Sequence, residues 1–134
     1  MLLSDIRDWL KESDIADHYY IGKIDAKKDK SLGVYQRSGS YAPVIALGRR
    51  ETYKIKHISL LLHWNKNADE TEQAAKALYQ FVNSATVPFM IGTTKVYFIS
   101  FISSEPIDVG TDNSGVYERM IGIDLYYENE IGGL

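Results

Sequence analysis

The side chains in this sequence that could do chemistry are few. His57 and His63 stand six residues apart in TYKIKHISLLLHW (52–64), and Asp112 and Glu118 stand six apart in TDNSGVYERM (111–120). Histidine beside a carboxylate is a common acid–base pair, and histidines at short range can hold a metal. On a strand, however, a six-residue spacing puts both rings on one face but roughly 20 Å apart. His57 and His63 therefore cannot share an ion. The expectation is a half-exposed His57, a hydrogen-bonded His63 near the start of the next helix, and solvated Asp112 and Glu118 in a loop and on a strand flank. No catalytic, cofactor-binding or metal-ligating residue is assigned.

A second candidate is the strand–turn–helix segment HISLLLHWNKNADETEQAAKAL (57–78). Phosphate sites are often built on such junctions, but they need glycines so that backbone N–H groups can approach the anion. NKNADETE (65–72) has no glycine and places Asp69, Glu70 and Glu72 in the first turn. Those carboxylates satisfy the positive helix end themselves and repel a phosphate. The segment is a joint, with Asn67 or Asp69 as cap. The glycines at 33, 39 and 48 are too scattered for a dinucleotide fingerprint, and neither a Gly-x-Ser-x-Gly elbow nor a Lys-Ser/Thr phosphate loop occurs. The chain has no cysteine, so it has neither thiol chemistry nor a thiolate metal site.

Two features suit binding better than catalysis. GRRETYKIK (48–56) gathers Arg49, Arg50, Lys54 and Lys56. The lysines alternate with Tyr53 and Ile55 and mark the wet face of a strand, where lysine discourages sheet pairing. The arginines sit at a turn beside Gly48, placed to meet an acidic partner. Ten tyrosines are many for 134 residues. Tyr19, Tyr20, Tyr35, Tyr41, Tyr53, Tyr117, Tyr126 and Tyr127 lie on or beside strands, too many for one core, and tyrosine suits an interface with one wet edge. Arg49, Arg50, Tyr53, Tyr117 and Tyr127 are the candidate interface residues.

The elements that must position these groups follow from hydrophobic period. The length fits one domain over residues 1–134, with a frayed tail from 129. Composition is 45% apolar and 25% charged, that of an ordinary globular protein. With 15 basic against 18 acidic residues the net charge is −3, which disfavours a nucleic-acid partner held by phosphate contacts. No run approaches the ~20 apolar residues that span a bilayer. Leu3, Ile6, Trp9 and Leu10 stripe a short helix capped by Ser4. Residues 18–24 and 32–39 read as a hairpin around a charged loop. A strand at 43–47 is placed at an edge by Pro43. A long strand runs from 51 to 64, open at its first end and covered at its second. Ala74, Ala75, Leu78, Phe81 and Val82 stripe a second helix. Strands follow at 87–92 and 95–103, then a polar loop at 105–115. In the last strand, 116–129, Tyr117, Arg119, Ile121, Ile123, Leu125 and Tyr127 share one face. Strands cluster instead of alternating with helices, so the class is α+β, a largely antiparallel sheet with two amphipathic helices packed on one face.

The order and texture of these segments resemble a known family. The helix ending in WL, YYIGKID, LGVYQRSG and the Tyr-Lys-Ile-Lys strand are similar to the minor capsid or tail terminator proteins of long-tailed phages of Gram-positive bacteria. So are ISLLLHWNKNADETEQAAKALYQFV and GVYERMIGIDLYYEN. The resemblance covers most of residues 3–128. It implies a tail-terminator-like fold and a homo-oligomeric ring, usually a hexamer, that caps the tail tube and joins it to the head connector. It also implies a protein made in the host cytoplasm and residing at the virion's head–tail junction, acting by binding alone, without a cofactor and away from membranes. DNA passes non-specifically through the lumen of such rings. The alternative is a small ligand-binding or enzymatic α+β domain with a pocket between sheet and helices.

Overall fold

The computed structural model describes residues 1–38 and 53–129. In chain order the elements are α1 (Leu3–Lys11), β1 (His18–Ile21), β2 (Ser31–Gln36), β3 (Tyr53–His63), α2 (Ala68–Asn83), β4 (Phe89–Ile91), β5 (Thr94–Phe101), β6 (Ile107–Thr111) and β7 (Tyr117–Glu128). The seven strands form one sheet in the order β1-β2-β3-β7-β5-β4. β6 also pairs with β7: β5 takes residues 123–127 of β7 and β6 takes 117–120. All pairs are antiparallel except β1 with β2. The architecture is α+β, as the clustering of strands predicts.

Side chains alternate along strands, so the sheet has two unlike faces. On one, Leu32, Val34, Ile58, Leu60, Leu62, Ile121, Ile123 and Leu125 are buried beneath Ile6 and Leu10 of α1 and Ala75, Leu78 and Val82 of α2. The Trp9 ring joins both helices to β4, its centroid 5.6 Å from Phe81 and 5.4 Å from Phe89. The helices begin where their first N–H groups find side-chain acceptors. Asn67 caps α2 by accepting the Glu70 N–H at 3.0 Å. In α1 the Asp5 carboxylate reaches back to the N–H of Leu2 at 2.8 Å, so that Leu2, not Ser4, is the cap residue and Ser4 lies inside the helix.

The other face, here called outer, is partly covered by loops at two glycines. After β1 the chain doubles back through residues 22–30 and lays Ile24 on Gly33, where an added Cβ would stand 2.7 Å from Ile24 Cγ1 and 2.8 Å from Tyr35 Cε1. This return makes β1 parallel to β2, His18 level with Ser31, instead of the expected hairpin. Nine residues suffice because a four-residue strand is only about 13 Å long. After β5, Ile102 lies across Gly122 in the same way, and a Cβ there would overlap its side chain. The polar stretch expected to be a loop at 105–115 contains β6; its Gly110 and Asp108 belong to a bulge against β7, not to a turn. The strand expected at 43–47 and the tail at 130–134 lie outside the described residues.

Candidate functional site

The two histidines lie on the outer face, and each meets a carboxylate. His63, at the end of β3, is 1% exposed. Its Nδ1 is 2.9 Å from Glu118 Oε2, its cross-strand neighbour on β7, and its Nε2 is 3.0 Å from the Ala26 carbonyl oxygen in the crossover loop. Asp112, in the turn between β6 and β7, places Oδ2 3.8 Å from Nδ1. Both ring nitrogens are thus engaged, one by a side-chain and one by a backbone oxygen. The backbone N–H of Val116, with Ser114 and His63 adding, holds the Asp112 carboxyl below the ordinary range against a smaller opposing effect of desolvation. Tyr35 lies under the same loop. Burial pushes its phenol upward, opposed by the Ile24 backbone hydrogen bond and assisted by the Glu118 charge.

Thus His63, Glu118 and Asp112, far apart in sequence, do come together. Their chemistry is spent on one another: His63 ties β3, β7, the crossover loop and the β6–β7 turn into one knot, with no ring nitrogen left for a substrate.

The second knot is more open. His57 Nδ1 is 2.7 Å from Asp124 Oδ1, and Arg37 Nη2 bonds the same oxygen at 2.5 Å. Arg37 Nη1 also donates to the Ile58 carbonyl at 2.8 Å. The three side chains are about one-fifth exposed. The guanidinium compensates the carboxylate and pins the end of β2 to β3 and β7. Nothing in the sequence pattern around Arg37 announces this role, because its partner lies 87 residues away.

Three of the five candidate interface residues can be placed. Tyr53 is on the outer face, its ring 5.8 Å from Tyr126, which in turn meets Phe98 edge-on at 5.6 Å. Tyr127 packs partly buried against the core, and Tyr117 is half-buried where β7 leaves β6. Arg49 and Arg50 lie outside the described residues. Lys54 and Lys56 share the helix-side face with Ile58 and Leu60, and Lys56 reaches past α1 to donate to the Met1 carbonyl at 2.9 Å. At this end of β3 both faces are half-buried, the lysines on the helix side and Tyr53 and Ile55 on the outer side. The 57–78 segment is the joint that its composition predicts: Asn67 caps it and Asn65 Nδ2 donates to Glu70 at 3.0 Å.

Sequence reasoning did not single out the surface on the β4–β5–β6 side. Met90, Tyr97, Phe98, Ile102 and Val109 are each about half exposed there. Phe98 reaches the surface because β5 bulges between Val96 and Phe98, which sends two successive aromatic residues outward. Beside it, Val82, Ala85, Val87, Ile99 and Phe101 help line a notch of about 160 Å³. Among the described residues, every buried side-chain nitrogen and oxygen has a hydrogen-bond partner, no three acidic or histidine side chains are placed to hold a metal, and no helix is long and apolar enough to cross a membrane. No protein-family model and no curated protein matches this chain.

Proposed function

We propose that this protein works by binding and self-assembly, as a structural component of a phage virion that caps the tail tube and joins it to the head connector. The observation that carries the reading is a division of resources on the surface. The histidines and carboxylates that β3 and β7 present on the outer face, His57, His63, Glu118 and Asp124, are consumed in knots between strands, whereas large apolar side chains remain half exposed beside them, Phe98 and Met90 each at 53%. A monomer gains nothing from such exposure, and a contact surface does. The partners on this reading are further copies of the chain in a ring, the tube subunit and the connector, with no cofactor.

The ligand-binding or enzymatic alternative needs a pocket between sheet and helices. That space is filled by core side chains, and the notch at the end of α2 is about 160 Å³, below the ~300 Å³ of ordinary ligand sites. The larger hollow of about 510 Å³ beside Tyr20, Lys23 and Lys27 lies at the crossover loop, wide open to solvent and not between sheet and helices. The test is electron microscopy of the concentrated protein, alone and mixed with a polymerising tail-tube protein. Rings, and tubes shortened and capped by the protein, are expected. Tubes of unchanged length and no rings would contradict the reading.

A further inference from the structure

We infer that copies of this chain join head to tail through two open strand edges, β6 of one copy pairing antiparallel with β1 of the next. The inference deepens the self-assembly reading and rests on it. Among the described residues, no strand pairs with the outer side of β1 or of β6. These edges lie at opposite sides of the sheet, yet at the same height. Following cross-strand partners from β1 through β2, β3 and β7 to β6 puts His18 in one row with Gly110, Tyr19 with Asp108 and Tyr20 with Ile107. A neighbour displaced sideways by one sheet width therefore brings β1 beside β6 without an axial step. That is what a closed ring requires; an axial step would produce a filament. The third open edge, β4, fails this condition, since its partners through β5 and β7 lie at the Tyr53 end of β3.

Strand direction agrees. β1 runs with β2, and each pair from β2 to β6 reverses direction, so β6 runs opposite to β1. Rotation about an axis along the strands preserves those directions, and the edges meet antiparallel, the stronger pairing.

Charge agrees as well. Residues 102–112 contain Glu105, Asp108 and Asp112 and no basic residue, whereas 22–30 contain four lysines against two aspartates. Asp108 stands 3.9 Å from Arg119 and Asp112 3.8 Å from His63, so exposed Glu105 is the acid of this stretch that no described base pairs. Lys23 is exposed too, and none of the four lysines forms an ion pair among the described residues. In the proposed register Glu105, two residues before Ile107, comes level with the Gly22–Lys23 turn. Two β6 edges repel each other, as do two lysine-flanked β1 edges, so only the unlike pairing is favoured. Ile107, 38% exposed, then packs on Tyr20, whose ring is stacked with His18 at 6.4 Å.

The absence of cysteine permits a direct test. Tyr20→Cys with Ile107→Cys in one chain puts the two thiols four strand spacings apart, about 19 Å, too far to bridge internally. Oxidation at assembling concentrations should give a ladder of covalent oligomers, and neither single variant should. Dimers from Ile107→Cys alone would mean β6–β6 pairing and overturn the inference. In parallel, Lys23→Glu and Glu105→Lys should each weaken self-association about three- to tenfold at low salt, with recovery in the double variant. Oligomers that form normally but give no ladder and ignore both reversals would place the interface elsewhere, leaving the self-assembly reading intact. A chain that is monomeric at every concentration, and also in the presence of the tube subunit, would remove that reading itself.

Discussion

The two faces of the sheet are made of the same strands and held by different physics. On the helix side, alternate residues of β2, β3 and β7 interlock with two amphipathic stripes, and Leu60, Ile58 and Ile123 are wholly excluded from water. On the outer side, the same strands contribute His57, His63, Glu118 and Asp124 to two ionic knots and present two glycines on which loops rest an isoleucine each. The helix face supplies cohesion, roughly 1.5–3 kcal/mol for each large side chain fully buried. The outer face supplies order, fixing where the crossover loop and the β6–β7 turn sit and hence how the sheet edges are presented.

The sharpest way to break this division is to open a cavity on the helix side. Leu60→Ala should cost about 2–5 kcal/mol in unfolding free energy, measured by denaturant titration, because the site is central and enclosed. A loss below about 1 kcal/mol would mean that this face is not the cohesive one.

Removing the His63 knot should come next. His63→Ala leaves Glu118 and the Ala26 carbonyl without their partner in a buried setting, at a cost of about 2–4 kcal/mol. Unlike Leu60→Ala, it should also speed amide exchange in residues 22–30 under native conditions, because the loop loses its tie to β3.

Gly33→Ala should cost about 1–3 kcal/mol, since both Ile24 and the Tyr35 ring crowd the added methyl. Gly122→Ala should cost less, because Ile102, 48% exposed, can swing into solvent. Equal losses at the two glycines would show that the loops are seated with equal firmness.

The smallest effect concerns acid. Asp112 has a folded-state pKa below its ordinary 3.8, so the stability it contributes is present above that value and is lost as pH falls through the lower folded value. Melting curves taken below about pH 4 should therefore show a component that Asp112→Asn removes. An unchanged acid limb in that variant would mean that the Val116 and Ser114 N–H groups do not favour the ionised form.

Much of this plan was legible in sequence because its elements are long and periodic. β3 and β7 each run more than ten residues without interruption, and the face shared by Ile121, Ile123 and Leu125 follows from alternation alone. α2 was equally plain, with its cap narrowed to Asn67 or Asp69, of which the structure uses Asn67. Alternation does not encode strand direction, however, and two short strands joined by a charged loop look alike whether the chain turns or crosses over. The crossover depends on Ile24 meeting Gly33 and on His63 holding Ala26, contacts of one or two atoms each. β6 was hidden by its own bulge, since Asp108 and Gly110 are the residues of a turn. The Arg37–Asp124 pair joins positions 87 residues apart, and one sequence carries no trace of such a meeting.

Hydrogen exchange compared between the free and the assembled protein tests the central claim most directly. If the helix side holds the fold and the edges make the assembly, amides of β1 and β6 gain protection on assembly while those of β3 and β7, already paired on both sides, stay as they were. Protection gained on α2 or at Phe98 with none at β1 and β6 would contradict it.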